Sequence, residues 1–384
     1  MVENKRYKRV FLLVMDGVGV GAAPDAKDYG DEGSDTLGNV ARSRKLSTPV
    51  LKSLGLYNID GVDVGIKEEN PKAAHLRLQE LSAGKDTTTG HWEICGIVLP
   101  KPFPTYPNAF PRDFMGEFER RIGVKTIGNE VASGTEIIAR LGEEHQRSGF
   151  PIVYTSADSV LQIAAHEETI PIDRLYEICR TAREMSDVGR IIARPFVGNP
   201  GEYMRTSNRR DFSLEPPEPN LLTKVMEAGL RSIGVGKIED IFAFRGLTDS
   251  FHTHDNASSM EKVRQLAKED FSGLVFANLI DFDMLYGHRN DVEGFAGALE
   301  RLDKDLALLL PLLGDDDALI LTADHGGDPT TPSTDHSREF VPMLLFADGI
   351  RPENHGTGMG FSVIASTAAK LLGLSWRADA KSLV

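Results

Sequence analysis

Three apolar runs in this chain each stop at a carboxylate, and no other feature restricts the fold as much. RVFLLVMD ends at Asp16, GLVFANLIDFD at Asp281 and Asp283, and DALILTADH at Asp324 and His325. Continuous apolar runs suit central strands of a parallel sheet, which are buried on both faces. Open parallel sheets bind ligands beyond the carboxyl ends of their strands. A single aspartate after a strand is most simply a turn or helix-capping residue. Three such ends, two with a histidine close by, predict one shared site at one sheet edge.

Amphipathic stretches between the runs complete an α/β alternation. In DVEGFAGALERLDKDLALLLPLL, Phe295, Leu299, Leu302 and Leu306 share one helical face. STPVLKSLG offers Thr48 as N-cap and Pro49 as first helical residue. TEIIARLGEEHQ and IDRLYEICRTAREM read as further helices. Two proline-rich segments, LPKPFPTYPNAFP and LEPPEPNLL, read as linkers. They divide the chain into a core of residues 1–100 and 218–384 and an inserted domain of 101–217, with PIVYTSAD and RIIARPFV as strands inside it.

The 384 residues carry a formal net charge of −14. That argues against nucleic acid or an anionic membrane as partner, since both need basic surface. A small anionic substrate stays compatible, because metals and a few arginines can reverse the local field. No apolar run reaches the roughly 18 residues of a membrane span. The opening MVENKRYKRVFLLVMDGVGVG imitates a secretion signal, but its apolar run, Val10 to Met15, stops at Asp16, as a buried strand would. Cys95 and Cys179 are too few for a disulfide framework, so a reducing cytoplasm is the expected location.

The segment ADHGGDPTTPSTDH has almost nothing to pack. It places His336 eleven residues after His325 through glycine and proline. DFDMLYGH adds Asp283 and His288. Carboxylate and neutral imidazole bind divalent first-row metals, and six such side chains with water suit two ions better than one. Paired metals commonly flank a phosphoryl displacement. The ligand set permits manganese, magnesium, zinc or iron. A second polar loop, SAGKDTTTGHWEICG, carries consecutive threonines with no apolar role. A polar turn is the plain reading. Near metals, one hydroxyl could become a nucleophile, and residue chemistry leaves Thr87, Thr88 and Thr89 as alternatives.

The blocks VMDGVGVGAAPDA, GSDTLGNVA, GKDTTTGHWEICG, VYTSADSVLQIAAHEE, IARPFVGNPGEYMRTSNRRDF, DFDMLYGHR and TADHGGDPTTPSTDHSRE, taken in order, resemble phosphopentomutases of the alkaline phosphatase superfamily. The resemblance runs from about residue 8 to the last helix. SADSVLQIAAHEE and GKDTTTGHWE separate the chain from sulfatases and from cofactor-independent phosphoglycerate mutases. The resemblance implies an alkaline-phosphatase-like core, a mostly parallel sheet flanked by helices, with an inserted α/β cap. Asp16, Asp324 and His325 would hold one manganese ion; Asp283, His288 and His336 would hold the other. Thr87 would be the phosphorylated nucleophile, lying between the ions and counted among their ligands. Gly17 departs from the serine usual after the first metal aspartate, and FHTHDN, around His252 and His254, departs from an expected basic segment.

From Ile170 to Phe212 the chain has eight arginines and no lysine. Most read as solvated charge. Arg194 and Arg209 lie beside glycine- and asparagine-rich segments, and a guanidinium fork suits phosphate. By resemblance, Ser156, Asp158, Arg194, Arg209 and Lys237 would contact a phosphorylated ribose. The implied reaction interconverts ribose 1-phosphate and ribose 5-phosphate, with their 2-deoxy counterparts, in nucleoside catabolism. It would be primed by a sugar bisphosphate such as ribose 1,5-bisphosphate or glucose 1,6-bisphosphate, under a cap that excludes water. The competing expectations are a metal-dependent hydrolase of phosphate or sulfate esters on the same core, and a non-catalytic protein with structural metals.

Overall fold

The first apolar run, Arg9–Met15 (β1), lies in the interior of an eight-stranded sheet in the computed structural model, which describes residues 5–156 and 159–384. The other strands are Ala74–Gln79 (β2), Arg231–Val235 (β3), Asp249–Phe251 (β4), Gly273–Leu279 (β5), Asp317–Thr322 (β6), Val341–Ala347 (β7) and Asn354–Met359 (β8). Their order is β4-β3-β5-β1-β6-β7-β2-β8, and only β7 runs antiparallel to its neighbours. The three runs that end in carboxylates are thus the adjacent strands β5, β1 and β6. Val10 to Met15, β5 and β6 are buried along their whole length, as two-sided burial requires.

Helices flank this sheet. In Val292–Leu309 the residues Phe295, Leu299, Leu302 and Leu306 are all buried, as their spacing predicts. Each such side chain contributes about 1.5–3 kcal/mol by leaving water. Pro49 begins the helix Pro49–Leu54, but Thr48 does not cap it with its side chain. Its hydroxyl bonds to the Tyr57 hydroxyl instead, because both groups are buried and need a partner.

By its internal contacts the chain forms two units, residues 1–102 with 216–384, and residues 103–215. The smaller unit has its own mixed sheet in the order 127–131, 152–155, 160–166, 190–197, 204–205, with Arg210–Ser213 also pairing to Arg190–Val197. Alternate residues serve opposite faces. Val153, Leu161, Ile163, Ile191 and Ala193 pack with the helices Arg112–Ile122 and Ile172–Met185. Ile152, Tyr154, Ala164 and Phe196 pack with the helix Gly134–Ser148. No helix among the described residues is long and apolar enough to cross a membrane.

Candidate active site

β1, β5 and β6 end level, with Met15 beside Leu279 and Val14 beside Thr322. The residues that follow therefore leave one sheet edge together. Asp16 follows β1 directly, and Asp324 and His325 follow β6 after Ala323. Asp283 lies in a single π-helical turn, Phe282–Tyr286, just beyond β5. Such turns recur at functional sites because they re-aim side chains.

These side chains form two trios. His325 Nε2 lies 3.3 Å from Asp16 Oδ1 and 3.3 Å from Asp324 Oδ2. His288 Nε2 lies 3.1 Å from Asp283 Oδ2, and His336 Nε2 lies 3.4 Å from Asp283 Oδ1. Within each trio one ligand-type atom per residue lies within 4.8 Å of the others. The trios adjoin, since the rings of His325 and His336 are 4.0 Å apart at their centroids. The first trio is buried. In the second, Asp283 is buried and His288 exposed.

The donor set fits divalent cations on an observation independent of spacing. Each carboxylate of the first trio has one oxygen tied down. Asn278 Nδ2 donates to Asp16 Oδ2 at 2.7 Å, and the Gly17 amide donates to Asp324 Oδ1 at 3.1 Å. The opposite oxygens, Asp16 Oδ1 and Asp324 Oδ2, are buried without a hydrogen bond, as is His336 Nε2. Buried polar atoms are rarely left so, and a cation in each trio would satisfy all three. The electrostatics agree. Burial, and then the charge of Asp324, pushes the Asp16 carboxyl above its usual range. The hydrogen bond to Asp283 lifts the His288 imidazole to about 9. Gly17 sits at φ +81°, in the left-handed region, so glycine in place of serine meets a backbone requirement there.

Thr87 begins the helix Thr87–Ile94, and its Oγ1 lies 3.2 Å from His325 Nε2. Asp86 caps the helix, accepting from the Thr89 amide at 3.1 Å and from the Thr89 hydroxyl. Thr89 is thus buried and committed to Asp86, whereas Thr87 reaches the first trio. The loop before this helix is held at several points. Buried Arg338 donates to Glu80 Oε2 at 2.6 Å, the Ser82 carbonyl at 2.8 Å and the Gly84 carbonyl at 2.6 Å. Glu93 accepts from the amides of Leu81, Ser82 and Phe361. Lys85 pairs with Asp31 and Asp335.

Of the remaining predicted residues, Lys237 follows β3 after one glycine and is half-buried. Ser156 follows the strand Ile152–Thr155, and Asp158 lies outside the described residues. Arg194 lies within the strand Arg190–Val197, and its Nε donates to Gln162 Oε1 at 3.1 Å. Arg209 grips Asp211 through two bonds of 2.8 Å. Burial, and then the charge of Arg209, depresses the Arg194 guanidinium, so two cations crowd one another there. Asp281 stands apart from the trios: its Oδ2 accepts from the Asn256 amide at 3.0 Å. The sequence reading gave no role to His91, Asn278, Glu93 or Arg338, although all four lie inside segments it singled out. The available signal was a polar residue inside an otherwise apolar run, as Asn278 is within GLVFANLI.

The sequence matches the Metalloenzyme superfamily over residues 8–376. It is 53% identical to the phosphopentomutase of Acetivibrio thermocellus over 383 residues, 98% of this chain and 99% of that one. It is likewise 53% identical to the phosphopentomutase of Carboxydothermus hydrogenoformans, over 96% of each chain. The fold resembles that of a solved Leishmania mexicana phosphoglycerate mutase, with a TM-score of 0.52 and 14% identity over 100% of this chain and 98% of that one. The chain therefore belongs to the phosphopentomutase family, isomerases on an alkaline-phosphatase-like α/β core.

Proposed function

We propose that this enzyme interconverts α-D-ribose 1-phosphate and D-ribose 5-phosphate, and their 2-deoxy counterparts, through phosphorylated Thr87. The observation that carries the reading is the placement of Thr87 Oγ1 at 3.2 Å from His325 Nε2, where two carboxylate–histidine trios adjoin. Asp16, Asp324 and His325 would hold one manganese ion and Asp283, His288 and His336 the second. Bound there, the cations would acidify a hydroxyl and neutralise phosphoryl oxygens.

The chain's own residues then have separable tasks. Phosphorylated Thr87 gives its phosphoryl group to the free hydroxyl of a sugar monophosphate, producing a bisphosphate. Thr87 recovers a phosphoryl group from the other end of the sugar, and the isomer leaves. A sugar bisphosphate, such as ribose 1,5-bisphosphate or glucose 1,6-bisphosphate, primes the cycle by phosphorylating Thr87. In the smaller unit the crowding of Arg194 and Arg209 favours an anion beside them. We assign these two to the non-reacting phosphate, with Ser156, Asp158 and Lys237 on the sugar. The inserted domain, taken as residues 101–217, acts as a cap that keeps water from phosphorylated Thr87.

The test is to incubate ribose 1-phosphate with enzyme, manganese and a trace of glucose 1,6-bisphosphate, and to assay ribose 5-phosphate and inorganic phosphate together. Ribose 5-phosphate forming without a matching rise in phosphate supports the mutase. Phosphate as the main product would instead establish a phosphatase on the same core.

A further inference from the structure

His91 is completely buried one helical turn beyond Thr87, and none of the proposed chemistry uses it. Its two ring nitrogens face different parts of the site. Nδ1 lies 2.9 Å from the Thr87 carbonyl oxygen and 3.0 Å from Asp324 Oδ2. Nε2 lies 3.0 Å from Asn278 Nδ2, and the same amide nitrogen reaches Asp16 Oδ2 at 2.7 Å.

These contacts fix the tautomer. An amide nitrogen has two hydrogens and only donates. Asn278 Nδ2 spends one on Asp16 and the other on His91 Nε2, so Nε2 must be the acceptor. The ring hydrogen is then on Nδ1, where the Thr87 carbonyl takes it and Asp324 stands close by. One imidazole thereby links the backbone of Thr87 to the carboxylate of Asp16 through Asn278, which lies 262 residues from Asp16 in sequence.

We infer that His91 and Asn278 act together as positioning residues. They hold Asp16 with Oδ1 aimed into the first trio while holding Thr87 against the same trio. The inference rests on the metal-dependent reading above. Hydrogen bonds of this kind behind a metal carboxylate orient it, and losing one typically costs about 10–100-fold in metal affinity or activity. Glutamine can present an acceptor where Nε2 stood, and asparagine can present a donor where Nδ1 stood. The two substitutions therefore separate the two halves of the link.

The experiment measures manganese binding to the metal-free full-length protein by calorimetric titration, alongside kcat and KM, for wild type, His91→Ala, His91→Gln, His91→Asn and Asn278→Ala. His91→Ala and Asn278→Ala should each weaken one of the two manganese sites, that of the first trio, by about 10–100-fold. Their combination should be no worse than the weaker single variant, because both break one chain of contacts. His91→Gln should keep manganese affinity within about threefold of wild type while kcat falls, and His91→Asn should lose affinity. KM should stay within about threefold throughout, since neither residue is assigned to the sugar. Wild-type manganese affinity in both His91→Gln and Asn278→Ala would overturn the inference, as would losses that multiply in the double variant. These two variants also decide the matter if His91→Ala does not fold. The number of ions bound by wild type tests the two-ion reading separately, because the inference concerns only the ratio of variant to wild-type affinity.

Discussion

Thr87 Oγ1 and His325 Nε2 stand 3.2 Å apart, one at the start of a helix and the other just past β6. Thr89, by contrast, is turned to Asp86. Thr87→Ala should lower kcat by at least about three decades, as expected when a nucleophile is removed. Its melting temperature should change little, because a half-exposed hydroxyl is lost. Intact-mass analysis after treatment with glucose 1,6-bisphosphate should show a phosphorylated wild type and an unmodified variant. Full activity in Thr87→Ala, with loss in Thr88→Ala, would move the nucleophile by one residue.

The two trios should respond differently to truncation. His336→Ala removes a half-buried ligand from the outer trio and should leave one manganese ion bound per chain. Asp324→Ala removes a fully buried carboxylate that also anchors the Gly17 amide and stands close to His91. It should abolish the inner ion and weaken the outer one by more than about 100-fold, beyond the loss of a supporting contact. Elemental analysis and manganese titration distinguish these results. A wild type that binds one ion at saturating manganese would contradict the two-ion reading.

Gly90 lets the Thr87 helix lie directly on the end of β6. A Cβ there would fall 2.1 Å from the Asp324 carbonyl oxygen, and backbone cannot give way as a flexible side chain would. Gly90→Ala should therefore push Thr87 away from His325. The expected cost is roughly 1–3 kcal/mol of stability, as for overpacking elsewhere, with a fall in kcat of at least about tenfold. Denaturant unfolding and steady-state kinetics would check both. An unchanged kcat would mean that the helix can shift without moving the hydroxyl.

The core was legible because its cause is local. Two-sided burial makes the middles of β1, β5 and β6 almost wholly apolar, and the carboxylate beyond each end marks where the sheet edge begins. Asp281 shows the limit of that signal. It ends the same run as Asp283 but accepts from the amide of Asn256 at the start of the helix Asn256–Ala267, whereas Asp283 lies in the π-helical turn and meets His288 and His336. Arg338 and Glu93 were not legible at all. Each acts on backbone carbonyls or amides, Arg338 from the other end of the chain and Glu93 from the helix that follows the loop, and such partners have no residue identity to leave a pattern. Thr48 misled for a related reason: its local capping role lost to a buried tyrosine hydroxyl.

Glu339 gives the protein a pH dependence outside the trios. It is buried, and its carboxyl accepts from the Thr36 amide and hydroxyl, the Ser337 hydroxyl and the Gly21 amide. Burial outweighs these bonds and raises it from 4.5 to about 7. Between those values the folded state holds more protons than the unfolded chain, so stability falls as pH rises. The contribution is complete below about 4.5 and is lost as pH passes about 7. Glu339→Gln keeps a neutral acceptor for the two backbone amides and removes the titration. The melting temperature of wild type should drop between pH 5 and 8 (roughly the window of that shift) more steeply than that of the variant. Parallel slopes would mean that the four donors keep Glu339 ionised throughout.

Arg209 tests the assignment of the substrate phosphate. Its fork is engaged with Asp211, and its charge depresses its neighbour Arg194 after burial has done so. A phosphate between them would relieve that repulsion and offer both forks a better-matched partner. A charge-assisted contact of this kind is worth roughly 1.5–3 kcal/mol, about one to two decades in affinity. Arg209→Ala should therefore raise KM for ribose 5-phosphate by about that factor. On the proposed reading of residues 101–217 as a water-excluding cap, the ratio of inorganic phosphate to isomerised sugar should rise as well. Asp211→Asn separates this from loss of the Asp211 pair alone: it removes the charge that Arg209 grips and should leave KM unchanged or lower it. A raised KM in Asp211→Asn equal to that in Arg209→Ala would show that the pair matters only for the shape of the loop, and the phosphate contact would then fall to Arg194.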